Sequence, residues 1–401
     1  MSIENASCKS CKNSNLTLVY DFGMIPHVNK FYSKAEKEKE KTYPLRLAVC
    51  NKCFLLQLLD HISNEDMFLD YYHRSSASKD NLKYLNHLAN YFFSKHKDKK
   101  ILEIGSNDLT MINLLQKKNI NAFGVEPAKN LFKNQKKVFN DFLNLKNVEK
   151  ILNDFGRFDL IFGINVFAHN SNFKELFDAS HKLLNNNGEL HIEVAYALKT
   201  VLQGNYDTIY HEHFCSYTLI SLTNVLSSVG FQIMHAEELD TQGGSLRVVA
   251  IKSSSKVRPS KSYKNLYNQE INTGLNDLSF YLEVAKKIHS KNKTIESFFN
   301  QNNENLVFIG APGRGVVTLN TQKNKLKNNI VFLDDTPEKQ GLFFPGLNFI
   351  IDSWNDELLN RFDLAFILSW NYSEFLIERL KKSGFKGKVV IPFPEFEIII
   401  L

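Results

Sequence analysis

Residues 207–217 read DTIYHEHFCSY and crowd imidazoles, carboxylates, phenols and a thiol into one short stretch. His211 and His213 stand two apart, which places them on one face of a strand and points them apart in a helix. The helical zinc pattern H-E-x-x-H needs a four-residue step that HEH does not supply. Spacing alone leaves three readings open: a metal site, an acid–base pair of the kind histidine provides near neutral pH, or a polar strand edge without chemistry. A second cluster is more specific. Cys8, Cys11, Cys50 and Cys53 form two C-x-x-C pairs, and Cys215 stands alone. In a reducing compartment, two such knuckles predict a tetrahedral four-thiolate zinc site with every position filled by protein, so the metal folds the chain rather than catalysing. A redox C-x-x-C would sit at a strand-to-helix junction, where neither pair falls.

Those residues need elements to hold them, and 401 residues predict two or three domains. With 23% charged and 43% hydrophobic residues the chain reads as globular, and no run of about 18 apolar residues predicts a membrane span. MSIENASCKSCKN lacks the basic flank and apolar core of a signal peptide, so a cytoplasmic location is expected. The net charge of +6 comes from scattered lysines without a basic stripe and spaced aromatics, which argues against nucleic acid as a partner. Leu82, Leu85, Leu88, Ala89, Phe92 and Phe93 recur at helical spacing behind a polar, serine-bearing loop. From Ile101 strands and helices alternate through ILEIG, NAFGVEP, FDLIFGINV and ELHIEVAYA, predicting a parallel sheet with ligands beyond its carboxyl ends. Glu126 falls about twenty residues after Gly105, where a carboxylate can accept from a ribose diol. The loop after Gly105 is not G-x-G-x-x-G, which favours a nucleoside ligand without a pyrophosphate. A second alternation runs over 305–401, opening with NLVFIGAPGRG, whose Gly310, Gly313 and Gly315 can approach phosphate oxygens while Arg314 adds charge. A mere tight turn is the competing reading there. Residues 262–300 read as a polar helical connector.

EIG at one strand end and an acid at the next resemble a class I S-adenosylmethionine (SAM) methyltransferase. A more detailed likeness covers roughly the whole chain: the two cysteine knuckles, the second continuing as CNKCFLLQLLD, then EIGSND, GVEPA, INVFAHN, DTIYHEHF, TQGGSLRVVA, GAPGRG and LDDTPEKQGLFFPG, in that order. This series resembles the sugar C-methyltransferases that act on nucleotide-linked 4-keto-6-deoxyhexoses in deoxysugar biosynthesis. The resemblance implies an α/β protein of three domains. They are a zinc-binding domain over 1–65, a doubly wound SAM-binding domain over 66–255, and a Rossmann-like domain over 256–401 that helps hold the nucleotide sugar. The cofactor would lie among Glu103, Gly105, Asn107, Glu126, Pro127 and Asn165. The substrate would lie among Tyr72, Ser75, Gly310, Arg314 and Lys339. Tyr210, Glu212, His213 and His169 would stand at the reacting sugar, with His213 as base and Glu212 as an orienting carboxylate. Methylation is expected at a carbon next to the ketone, C3 in particular, in a monomer or homodimer.

The chain departs from the family pattern in places. Leu109 stands where the family has the last glycine of G-S-N-D-G, so either the helix starts one residue earlier or cofactor affinity falls. Arg314 replaces the common lysine, and Val316 and Val317 replace a polar pair. His73 blurs which of Tyr71 and Tyr72 faces substrate. The alternatives are an O- or N-methyltransferase of a nucleotide sugar, an impaired binding homologue, or a zinc-dependent adaptor. If 207–217 is extended, His211 and His213 share a face, Glu212 turns away as an anchor, and Cys215 is a packed bystander.

Overall fold

The computed structural model describes residues 6–69, 74–76, 79–131, 135–255, 257–326 and 330–401. Its strands, in chain order, are β1 (Leu16–Pro26), β2 (Thr42–Cys50), β3 (Leu56–Leu58), β4 (Lys100–Ile104), β5 (Asn121–Val125) and β6 (Val138–Phe139). They continue with β7 (Phe158–Ile164), β8 (Leu184–Ala195), β9 (Cys215–Ser216), β10 (Phe231–Leu239) and β11 (Ser245–Lys252). The last are β12 (Leu306–Ile309), β13 (Ile330–Leu333), β14 (Ile351–Asp352), β15 (Leu364–Ile367), β16 (Lys388–Ile391) and β17 (Glu397–Ile400).

These strands build three sheets. The middle one runs β10-β11-β8-β7-β4-β5-β6, parallel except for β11, which is antiparallel to both neighbours. Its parallel strands are near-continuous apolar runs, as strands covered on both faces must be. Chain order reverses between β4 and β7, so the crevice beyond their carboxyl ends is where a ligand fits. The third sheet, β14-β13-β12-β15-β16-β17, is parallel up to its antiparallel last strand, and its order reverses between β12 and β15. The sequence-expected loops after Ile104 and Ile309 therefore both lie at reversal points.

The first sheet is antiparallel, β1-β2-β3-β9, and its last strand comes from the middle of the chain. Cys215 pairs with Gln57 and Ser216 with Leu56, while Leu58 donates its backbone N–H to Phe214. The residues after HEH are thus an edge of the N-terminal sheet, and Cys215, expected as a bystander, carries part of that ladder.

Two helices join the second and third sheets. Leu278–Gln301 buries Tyr281, Val284, Ile288, Ile295 and Phe299, a stripe at helical spacing, and Asp277 caps it by accepting from Ser279 N. Lys261–Thr273 packs on the middle sheet instead. Its fully buried Glu270 accepts from Tyr196 Oη at 2.6 Å and from the N–H groups of Leu219 and Ile220, capping helix Leu219–Ser227. Helix Lys79–His96 buries Leu85, Leu88, Ala89 and Phe92, whereas Phe93 is exposed. Among the described residues, no helix is long and apolar enough to cross a membrane.

Candidate active site

The four cysteine sulfurs lie within 4.8 Å of one another, with Cys8–Cys53 at 3.5 Å and Cys11–Cys50 at 3.6 Å. Tetrahedral zinc with bonds of about 2.3 Å needs sulfurs about 3.7 Å apart, so the set fits. Each knuckle turns on a left-handed residue just after its second cysteine, Lys12 at φ 59° and Phe54 at φ 56°. Lys52 N and Asn13 Nδ2 point at Cys50 Sγ, donors that favour the thiolate a metal requires.

The loop after β4 has three residues in the left-handed region: Gly105 (φ 67°), Asn107 (φ 50°) and Leu109 (φ 64°). A Cβ on Gly105 would lie 2.9 Å from Val166 Cγ2, so the strand end passes close to the loop after β7. Leu109 retains the conformation glycine would take and caps helix Thr110–Lys117, so the helix does not begin a residue earlier. Its side chain, 2% exposed, belongs to the apolar cluster with Leu85, Leu88, Phe92 and Ile112. Glu126, at the end of β5, accepts from Asn107 N at 2.7 Å and Ala128 N at 2.8 Å, which holds its carboxylate at the crevice mouth. Glu103 is buried with Oε2 unpartnered, as is Ser106 Oγ. Burial first, then Glu126 and Asp108, push the Glu103 carboxyl far up. Two orphaned buried polar atoms beside a ribose-type acceptor fit a polar nucleoside ligand such as SAM. Pro127 follows Glu126. Asn165 closes the other side at φ 53°, its N–H donating to the Glu193 carbonyl. Ser75 arrives at this loop as well, its N–H donating to Asn107 Oδ1 at 2.8 Å, with Ser76 N on Asp108. Tyr72, with Tyr71 and His73, lies outside the described residues.

HEH is not extended. His213 N donates to Tyr210 O at 2.8 Å, closing a tight turn with His211 and Glu212 at its corner. The expectation of a shared histidine face is therefore overturned. His211 Nε2 bonds Pro44 O at 3.0 Å in the N-terminal domain, and Tyr43 meets the ring edge-on. Glu212 goes the same way and accepts from Asn29 Nδ2 at 2.7 Å. Burial raises the Glu212 carboxyl to about 7.

His213 turns to the opposite side. Its ring lies 4.1 Å from that of Tyr210 and 4.9 Å from that of His169, centroid to centroid, and Phe68 stacks behind His169. Nδ1 donates to Thr208 O at 2.7 Å when that nitrogen carries the proton, which leaves Nε2 as the acceptor. Burial, with a smaller push from Arg314, lowers His213 to about 4, so the ring is neutral at pH 7. Burial also raises the Tyr210 hydroxyl, so it stays protonated and able to donate.

Arg314 brings the third domain to this turn. It lies over the Trp370 ring at 5.6 Å, and Trp370 Nε1 donates to Asp207 Oδ2 at 2.5 Å. Gly310, at φ 85°, leaves no room for a Cβ against Ser369 Oγ. The glycine loop is partly held by its own domain, since Ala311 N donates to Asp334 and Lys339 Nζ lies 3.0 Å from Ala311 O and 3.7 Å from Asp334. Lys339 is thus turned onto the loop. Sequence reasoning missed Asn29, Asp207, Trp370 and Asp334; the Asn29–Glu212 and Asp207–Trp370 pairs join residues 183 and 163 apart in the chain, which leaves no periodic signal.

Three family models match consecutive parts of the chain: a zinc binding domain over 8–68, a methyltransferase domain over 73–236 and a C-methyltransferase C-terminal domain over 240–394. C-methyltransferase NovU of Streptomyces niveus is 25% identical over 413 aligned positions, covering 98% of this chain and 96% of that protein. Magnesium protoporphyrin IX methyltransferase from Synechocystis PCC 6803 with bound SAM matches 43% of this chain and 79% of its own, at 12% identity and a TM-score of 0.32. A SAM dependent methyltransferase from Archaeoglobus fulgidus matches 43% and 94%, at 12% identity and a TM-score of 0.35. The fold is that of a class I SAM-dependent methyltransferase flanked by a zinc-binding domain and a Rossmann-like domain. In order along the chain stand matches to a zinc binding domain, a methyltransferase domain and a C-methyltransferase C-terminal domain, and over nearly its whole length the chain is similar to a C-methyltransferase.

Proposed function

We propose that this C-methyltransferase acts on a nucleotide-linked 4-keto-deoxy sugar, adding the methyl group to a carbon beside the ketone, C3 by the family likeness. The observation that carries the reading is the set of His213 ring contacts, with Nδ1 on the Thr208 carbonyl, Nε2 left as acceptor, and Tyr210 alongside. Bound SAM supplies an electrophilic methyl group on a sulfonium. The chain's task is to make a carbon nucleophile. His213 Nε2 takes the proton next to the ketone, and the Tyr210 hydroxyl donates to the oxygen on which enolate charge develops. A neutral ring with a low resting pKa gains basicity as that anion forms beside it. Glu212, fixed by Asn29, holds the turn that aims His213. His169 packs against the base and limits its rotation. Zinc at four cysteines has no open position and takes no part in the transfer.

The substrate's diphosphate is assigned to Arg314 beside Gly310, with Lys339 supporting the loop, and Ser75, expected on the substrate, meets the loop after β4 through Asn107. The side chain of Leu109 is buried away in an apolar cluster, which removes the reason to expect an impaired cofactor site. The test is proton exchange in deuterated water without SAM. The enzyme should place deuterium at the carbon beside the ketone, and His213→Asn should slow exchange and methylation together by roughly 10²-fold or more. Methylation without exchange would mean transfer to oxygen or nitrogen. Unchanged rates in His213→Asn would remove the base assignment.

A further inference from the structure

Among the described residues, the methyltransferase mechanism leaves one cluster of ligating side chains unused. His96 ends helix Lys79–His96, and Glu189 and His191 lie on β8. His191 Nε2 is 2.7 Å from Glu189 Oε2, and His96 Nε2 is 3.9 Å from the same oxygen. One ligating atom from each residue falls within 4.8 Å of the other two. The imidazole rings stand 5.4 Å apart at 88°, both braced by Phe92. We propose that His96, Glu189 and His191 form a second site for a divalent transition ion of the zinc class, separate from the four cysteines.

Two imidazoles and one carboxylate are a donor set suited to zinc, nickel or copper, unlike the soft thiolate set at the N-terminus. Bonds of about 2.1 Å would place cis donors about 3.0–3.4 Å apart, a range that lies between the two carboxylate–imidazole distances of 2.7 and 3.9 Å. The His191 side chain is 6% exposed and that of His96 12%, while that of Glu189 is 38% exposed. The site therefore has a fixed inner wall and an open mouth that can supply water as further ligands.

The site lies away from the chemistry. His191 precedes the carboxyl end of β8 by four residues and Glu189 by six, or about 13 and 20 Å along the strand. Yet it holds the same helix that covers the cofactor loop. Near the other end of Lys79–His96, Asn81 Nδ2 donates to Ser75 O, and Ser75 N donates to Asn107. An ion at the last turn would clamp that helix to β8 and stiffen the cover over the cofactor crevice.

The experiment uses the full chain, free of affinity-tag histidines and carrying zinc on its cysteines, titrated calorimetrically with Ni²⁺. One further equivalent should bind and raise the thermal midpoint. His96→Gln and Glu189→Gln should each weaken that binding by at least about 100-fold, more than loss of an outer-sphere partner does. Co²⁺ at the site should show ligand-field bands without thiolate charge transfer. No binding beyond the cysteine zinc at millimolar Ni²⁺ would overturn the proposal, as would binding unchanged in both variants.

Discussion

Replacing Leu109 separates two contributions at one residue. Its backbone sits at φ 64° and ψ 16°, a region that costs a residue with a Cβ about 1–2 kcal/mol. Its side chain, 2% exposed in the cluster with Leu85, Leu88 and Phe92, resists truncation by about 2–5 kcal/mol. Leu109→Ala loses the burial and retains the strain. Leu109→Gly loses slightly more burial and releases the strain. At an ordinary helical position glycine is less stable than alanine by roughly 0.5–1 kcal/mol. Here the order should reverse, with glycine ahead by about 1 kcal/mol although both lie below wild type. For a domain of this size that is about 2–4 °C in thermal midpoint, readable by circular dichroism without SAM. Because the side chain is buried with the helix, SAM affinity of Leu109→Gly should stay within about threefold of wild type, under 1 kcal/mol. An alanine variant as stable as the glycine variant would refute the strain argument. A large gain in SAM affinity for Leu109→Gly would show that leucine obstructs the cofactor.

Removing zinc with a chelator, or Cys53→Ser, should abolish both methylation and exchange in step with zinc loss. The four-cysteine domain holds β3 against β9 and so holds the HEH turn. Full turnover by metal-free enzyme would refute this. A second expectation concerns pH. His213 must be neutral to act and its pKa is lowered to about 4, so kcat/KM should hold as pH falls from 7 and drop only below about 5. The same depression stabilises the fold above the free imidazole's pKa near 6.5 and is lost as pH falls through 4. A limb near 7 that vanishes in Glu212→Gln would belong to that carboxyl; one that stays would contradict the His213 assignment.

The strand–helix alternations after Ile101 and Leu306 are legible because parallel strands buried on both faces are continuous apolar runs with glycine at their ends. The cysteine pairs are legible because knuckle spacing is local. The shape of HEH is not, since a turn closed by a single backbone bond between His213 and Tyr210 leaves no period in the sequence. Nor is the partner of Glu212, because Asn29 stands 183 residues away in another domain. Leu109 shows a different limit. Its type argued against a left-handed backbone, but burial among the residues of helix Lys79–His96 outweighs the local cost. Two-residue β9 is too short to carry any alternation at all.

The pairing of β3 with β9 also imposes an order of events during synthesis. Roughly 160 residues separate Leu58 from Cys215, about 10–30 s of translation at ordinary rates. Through that interval the cysteines have emerged and can take up zinc, yet the outer edge of β3, with Leu56 and Leu58 in it, has no strand beside it. The nascent chain thus carries an open-edged sheet able to hold its metal, which is closed only when the residues following the HEH turn leave the ribosome.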